Sequence, residues 1–160
     1  MVEPLTLPLV DRRPFGLYDY RHGHNYVLIR GFPDEDWDDD EDDASPEDGA
    51  PGFGGTGRRM DVLDIAFLRI ERVACRRSFS DLHLRYASAS EMTLLEARLG
   101  KWQPTSKVYL LEPDTLESYV IAPVVLVATF AIAGGAPSPL VADDPEYVAG
   151  HPPIGGVWTL

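Results

Sequence analysis

Residues 61–70 read DVLDIAFLRI and residues 25–30 read NYVLIR, two short segments rich in apolar and β-branched side chains. Such segments are typical of β-strands. Positions 62–68 are apolar except for Asp64, which indicates a strand covered on both faces. A carboxylate there is costly to bury without a partner, so Asp64 is a functional carboxylate, one half of a structural ion pair, or an exposed side chain on a strand that is not fully covered. The arginines considered as its partner are Arg69, Arg72 and Arg85.

The segment between these two predicted strands holds most of the negative charge. Residues 34–48 read DEDWDDDEDDASPED, with 11 acidic residues and no basic one. The whole chain of 160 residues has 26 acidic and 14 basic residues and a formal net charge of −12, so the remainder is almost neutral. Like charges at this density repel one another, and a Gly-rich stretch follows. We therefore expect residues 33–58 to be a flexible acidic insertion in a single domain spanning residues 1–160.

Other segments predict further strands and one helix. Residues 81–86 (DLHLRY) alternate between apolar and polar side chains, as a half-buried strand does. Ser88 precedes Glu91 at the spacing of a capping box and Gly100 ends the apolar pattern, which predicts a helix over residues 89–99.

Two further segments favour strands. The uncharged run at 119–133 (YVIAPVVLVATFAIA) has a composition typical of strands, and Pro123 predicts a break within it. Residues 15–20 (FGLYDY) also predict a strand. Alternation along that strand places Phe15, Leu17 and Asp19 on one face and Gly16, Tyr18 and Tyr20 on the other.

These patterns together predict a mainly β fold at the border of the α+β class. We expect a small sandwich or partly open barrel of about seven short strands, with one helix near 89–99 and the long acidic loop at 33–58. Residues 134–160 contain five prolines, which predicts an extended C-terminal tail.

Composition also excludes several classes of function. The single cysteine, Cys75, excludes an internal disulfide framework, and we expect it to be a buried, inert thiol. The net charge of −12 opposes a nucleic-acid backbone. The longest uncharged apolar run is shorter than the ~20 residues of a membrane-spanning helix, and the chain opens on no basic-then-apolar leader. We expect a soluble, cytoplasmic protein that binds neither nucleic acid nor membrane.

His22 and His24 form an H-x-H pattern. On a continuous strand both imidazoles would lie on one face, as in many metal sites, whereas a hairpin turn at Gly23 would direct them apart. Both interpretations stay open, but no third ligand is fixed by spacing. We therefore predict neither a metal nor another cofactor.

The leading functional hypothesis is a non-enzymatic interaction domain that binds a basic protein partner through the acidic loop. Charge would steer the encounter, and a tryptophan in the loop would fill a pocket of the partner. The predicted partner-binding residues are Asp36, Trp37, Asp38, Asp39, Asp40 and Glu41. With its short strands and one helix the chain is similar to small bacterial domains, immunity proteins that neutralise partner toxins among them, which implies an immunity- or inhibitor-like role.

Three alternatives stay open. One is a small-molecule-binding or hydrolytic β-barrel whose pocket uses a carboxylate, a histidine and two tyrosines, namely Asp64, His83, Tyr18 and Tyr20. Another is self-association into a homo-oligomer through an exposed apolar strand pair at 124–132. The third is that the acidic loop is a tolerated insertion without a function.

Overall fold

The computed structural model of the protein describes residues 2–21, 25–33 and 59–160. In these ranges the chain forms twelve strands and two helices: β1 (Val2–Pro4), β2 (Leu9–Asp11), β3 (Phe15–Arg21), β4 (Tyr26–Gly31), β5 (Arg59–Leu68), β6 (Arg72–Ala74), β7 (Ser78–Phe79), β8 (Leu82–Tyr86), α1 (Ala89–Leu99), β9 (Lys107–Leu110), β10 (Tyr119–Ala122), β11 (Val124–Ala133), α2 (Pro145–Gly150) and β12 (Ile154–Thr159). The predicted mainly β fold is confirmed. The strands outnumber the seven expected because β1, β2, β6 and β7 are too short to show a periodicity, and because β12 lies in the segment expected to be an extended tail.

The strands form two sheets packed as an open sandwich. A seven-stranded sheet has the order β1-β12-β11-β5-β4-β3-β7, and a five-stranded sheet has the order β2-β8-β9-β10-β6. Paired strands are antiparallel except β1 and β12, which are parallel. The predicted acidic insertion at 33–58 joins β4 to β5, and apart from Pro33 it lies outside the described residues.

The main hydrophobic core lies between the two sheets. Alternate residues of each inner strand enter it, and its members include Phe15, Ile29, Ile65, Phe67, Leu82, Leu84, Tyr109 and Leu111. The intervening residues of the two central strands point to the opposite, outer face of the seven-stranded sheet, where Leu28, Val62 and Ala66 are also buried. The predicted burial of β5 on both faces is therefore confirmed.

Pro123 lies where the chain passes from one sheet to the other. β10 ends at Ala122 in the five-stranded sheet, and β11 begins at Val124 in the seven-stranded sheet. The predicted break of the uncharged run is confirmed. β11 pairs with β5 on one side and β12 on the other, so residues 124–132 form an interior strand rather than the exposed pair that the self-association hypothesis assumed. The oligomeric state stays a prediction.

Helix α1 covers the outer face of the five-stranded sheet and confirms the predicted boundaries. Ser88 and Glu91 form the capping box, and the backbone leaves the helix at Gly100 with φ of 80°. Both Arg85 Nη atoms bind the Glu91 carboxylate at 2.7 and 2.8 Å, and the Ser88 N–H donates to it. The Arg85 guanidinium and then the Ser88 N–H lower the pKa of Glu91 to about 2. Leu95 is the buried residue of the helix.

Residues 134–150, called the C-terminal strap below, cover the outer face of the seven-stranded sheet. Leu140 packs against buried residues on this face, and α2 begins after Asp144, whose side chain accepts the Glu146 N–H. The chain then returns to the sheet as β12. Residues 134–160, expected to be an extended tail, thus include a short helix and a paired strand. Neither helix within 2–21, 25–33 and 59–160 has the length and apolar character needed to cross a membrane.

Leu95→Ala tests the attachment of α1. Leu95 is 0% exposed and its neighbour Leu94 is 60% exposed. Removing the buried side chain leaves a cavity, so we expect Leu95→Ala to lower the free energy of unfolding by about 2–5 kcal/mol and Leu94→Ala by less than about 0.5 kcal/mol. Urea denaturation followed by circular dichroism measures both. Equal effects of the two substitutions would show that α1 does not pack as described.

Candidate functional site

A fully buried ion pair lies at the centre of the outer face of the seven-stranded sheet. Arg30 on β4 and Asp64 on β5 are register partners, and both side chains are 0% exposed. Arg30 Nε donates to Asp64 Oδ1 at 2.6 Å, and Nη2 donates to Oδ2 at 2.8 Å. The expectation that Asp64 needs an arginine is met, but the partner is Arg30 and not Arg69, Arg72 or Arg85. Each of the two adjacent central strands has one charged residue within its run of buried positions, Arg30 in β4 and Asp64 in β5. This pair of single charges is the sequence signal that would have identified Arg30 as the partner.

The remaining contacts of the Arg30 guanidinium involve the C-terminal strap and β3. Its Nη1 donates to the carbonyl oxygens of Gly134 at 2.8 Å and Ala136 at 2.7 Å. The guanidinium carbon lies 3.9 Å from the centroid of the Tyr18 ring, a cation–π contact. The Tyr18 hydroxyl also donates to the Ala136 carbonyl, at 3.1 Å. Through its planar guanidinium, Arg30 of β4 therefore contacts two other strands, β3 and β5, and the C-terminal strap.

A β-bulge in β3 changes which side chains reach this face. The register with β4 shifts between Leu17 and Asp19, so that Asp19 pairs with Leu28, an outer-face residue. A bulge adds one residue to the strand and places Tyr18 and Asp19 on the same face. The predicted grouping of Asp19 with Leu17, and of Tyr18 with Tyr20, is therefore wrong, because strict alternation fails at the bulge.

An open hollow of about 380 Å³ lies between the C-terminal strap and strands β3 and β4. This outer hollow combines aromatic, acidic and apolar groups, and the residues that line it include Tyr18, Asp19, Arg21, Tyr26, Leu28, Ser138, Val141, Asp143, Asp144 and Tyr147. Three carboxylates against one arginine give it a negative charge. The volume lies within the range of small-ligand sites, about 300–1,000 Å³.

Hydrogen bonds orient the tyrosines of the outer hollow. The Tyr26 hydroxyl donates to Asp19 Oδ2 at 2.6 Å, and the Tyr147 hydroxyl donates to the Pro137 carbonyl at 2.7 Å. Arg21 Nε lies 3.3 Å from the same Asp19 oxygen. Burial and then the hydrogen bond to Asp19 raise the pKa of Tyr26 to about 12. The phenol is therefore a stable hydrogen-bond donor at neutral pH.

The four residues of the alternative pocket do not meet in one place. Tyr18 and Asp64 lie on either side of Arg30, and Tyr18 also lines the outer hollow. His83 lies between Leu82 and Leu84, which both enter the core, so alternation directs it to the outer face of the other sheet. Tyr20 lines a different hollow, of about 320 Å³, with Asn25, Glu71 and Arg72 among its neighbours. The core thus separates His83 from Asp64.

The remaining predicted site residues cannot be placed. Asp36, Trp37, Asp38, Asp39, Asp40 and Glu41 lie outside the described residues, as do His22 and His24. Within the described ranges no group of three or more His, Cys, Asp or Glu side chains is arranged to hold a metal ion. Burial, followed by the negative charge of Glu112, raises the pKa of the Cys75 thiol, which keeps it protonated at neutral pH.

The described residues thus form an open β-sandwich whose outer hollow is anionic and lined by tyrosines. Comparison of the chain with protein-family models, with curated proteins and with solved structures gave no match.

Substitution of Asp64 tests the buried ion pair. Asp64→Asn leaves the Arg30 guanidinium buried without its counter-ion, so we expect a loss of about 3–5 kcal/mol in the free energy of unfolding. The matched control is Glu117→Gln, which breaks the exposed pair with Arg98 and should cost less than about 1 kcal/mol. Urea denaturation of the three proteins gives the comparison. A cost of Asp64→Asn no larger than that of the control would contradict the described geometry.

The ionisation of Tyr26 provides a pH-dependent test. Its pKa of about 12 in the folded protein exceeds the ~10 of a free tyrosine, so its contribution to stability is present below pH ~10 and is lost as the pH rises toward 12. Asp19→Asn should lower this pKa, whereas Asp114→Asn, on an exposed residue elsewhere, should not. NMR titration of ¹³Cζ-labelled tyrosine measures it. A Tyr26 pKa near 10 in the unaltered protein would refute the hydrogen bond to Asp19.

Proposed function

We propose that the protein is a non-enzymatic interaction domain that binds a basic protein partner through the acidic segment at residues 34–48. The observation behind this proposal is the separation of charge: the segment contains 11 acidic residues and no basic one, while the rest of the chain is almost balanced. A concentrated negative charge raises the rate at which a positively charged surface is encountered. Trp37 is the proposed anchor because a buried tryptophan is a frequent source of binding energy at interfaces.

The attachment of the segment to the fold supports an interaction role. It lies within the insertion that connects the neighbouring central strands β4 and β5, and described contacts hold the residues that flank this insertion. The Phe32 N–H donates to the Pro14 carbonyl at 2.9 Å, and Arg59 Nε donates to the Ala131 carbonyl at 3.0 Å. Changes between these anchors should therefore alter binding without unfolding the sandwich.

The alternative of a small-molecule-binding or hydrolytic protein has less physical support. Both carboxylate oxygens of Asp64 accept hydrogen bonds from Arg30, and the carboxylate is fully buried. Such a carboxylate cannot come within hydrogen-bond distance of a substrate proton, as a general base must. More specifically, we propose an immunity- or inhibitor-like role, in which this protein is cytoplasmic and occupies a basic site of its partner.

Neutralising the acidic segment tests the proposal. The test variant replaces five carboxylates by their amides, at Asp36, Asp38, Asp39, Asp40 and Glu41. The matched control neutralises five exposed carboxylates of the described surface, at Glu3, Asp81, Glu96, Asp114 and Glu146. Proteins captured at about 0.05 M salt and released at about 0.5 M salt are identified, and the affinity of each purified partner is then measured, because salt screens exposed charges.

We expect the test variant to bind the purified basic partner about ten- to a hundredfold more weakly than the unaltered protein, with the control variant reduced by less than about threefold. Trp37→Ala should weaken binding at both salt concentrations, since an apolar contact is not screened. Deletion of residues 34–57 should abolish binding and leave the unfolding transition intact. Equal binding by the test and control variants would refute the role of the segment.

A further inference from the structure

The outer hollow presents two kinds of group that recognise organic cations. Carboxylates of Asp19, Asp143 and Asp144 supply negative charge, and Tyr18 and Tyr147 supply aromatic rings, each already in contact with one neighbour, Arg30 and His151 respectively. We propose that the outer hollow binds the guanidinium group of an arginine side chain of the partner. The inference rests on the proposed function for the basic character of the partner, but it concerns a second set of residues, separate from the acidic segment.

The charges of the outer hollow favour a cation. Among the described residues that line it, Arg21 is the single basic one, and it lies against Asp19. Asp143 is exposed, and no described residue forms an ion pair with it. Asp144 uses one oxygen to cap α2, which leaves its negative charge in place. The three carboxylates thus exceed the one arginine, and two negative charges remain for a ligand to neutralise.

The tyrosines of the outer hollow are fixed before a ligand arrives. Each of the three hydroxyls donates a hydrogen bond within the protein: Tyr18 to Ala136, Tyr26 to Asp19 and Tyr147 to Pro137. Side chains that are already ordered lose little conformational entropy on binding. The walls of the outer hollow are therefore preorganised, which favours binding of a small group.

A guanidinium fits this lining better than an ammonium. It is planar and weakly hydrated, it stacks on aromatic rings, and it donates two parallel hydrogen bonds to a carboxylate. The protein already contains the same combination next to the outer hollow, where Arg30 lies 3.9 Å from the Tyr18 ring centroid and binds Asp64 with two hydrogen bonds. The volume of about 380 Å³ accommodates one such side chain with part of its backbone.

The test is an NMR titration of the full-length, ¹⁵N-labelled protein with N-acetyl-arginine N-methylamide. The matched control ligand is the citrulline derivative, which has nearly the same shape without the charge. We expect arginine-selective amide shifts at Tyr18, Asp19, Tyr26, Asp143 and Tyr147, with a dissociation constant on the order of millimolar for so small a probe.

Variants separate this site from the acidic segment. Asp143→Asn should weaken the arginine derivative about two- to fivefold, whereas Glu146→Gln, an exposed change on α2, should not. The variant with five neutralised carboxylates at positions 36–41 should bind the derivative as the unaltered protein does. That result supports the outer hollow as a separate site, whatever the fate of the acidic segment in the partner-binding test.

Three results would overturn the proposal: equal shifts with the citrulline derivative, shifts that map away from the outer hollow, or loss of the shifts in the variant neutralised at 36–41. None of them bears on whether a basic protein binds the acidic segment, because that question is decided by the partner-binding measurements.

Discussion

The bidentate pair between Arg30 and Asp64 is the interaction on which the outer half of the molecule depends. A guanidinium and a carboxylate without solvent access are each costly to bury, and a missing partner for either would cost several kcal/mol. Asp64 satisfies one edge of the guanidinium, and the carbonyls of Gly134 and Ala136 satisfy another donor. The C-terminal strap must therefore cross the sheet at this point. The strap in this position forms one wall of the outer hollow.

The same need to keep buried groups away from water explains why both sheets are also covered on their outer faces. The central strands β4 and β5 are buried on both faces, and apart from the Arg30–Asp64 pair their buried side chains are mainly apolar, so neither face of the seven-stranded sheet can be left to water. One face is covered by the five-stranded sheet and the other by the C-terminal strap. The chain passes from one sheet to the other at Pro123, between the end of β10 and the start of β11. Because Pro123 lies in neither strand, its missing N–H donor removes no hydrogen bond from the strand pairing. Helix α1 then covers the remaining apolar face through Leu95.

Much of the fold could be predicted from local signals, and most of the candidate site could not. The capping box at Ser88 and Glu91, the break at Pro123 and the two-sided burial around Asp64 depend on short-range sequence, and each is confirmed. The partner of Asp64 depends on strand register, which no local pattern specifies. The bulge reverses the expected direction of Asp19 relative to Leu17, and a single inserted residue leaves no mark in the sequence. The outer hollow exists only once the C-terminal strap lies on the sheet, so its lining combines residues more than a hundred positions apart.

In the proposed function, the acidic segment and the outer hollow would act over different distances and would therefore have separate roles. Carboxylates at the density of residues 34–48 would act over about a Debye length, roughly 8 Å at physiological salt, and would favour basic over acidic partners whatever their detailed shape. The outer hollow would act at contact, where tyrosine side chains and an oriented carboxylate would recognise one cationic group. Charge concentrated at 34–48 would raise the rate of encounter, while fixed groups such as Asp19 and Tyr26 would slow dissociation. An interaction domain of the proposed kind would need both, because electrostatic steering alone gives an encounter complex that added salt readily dissociates.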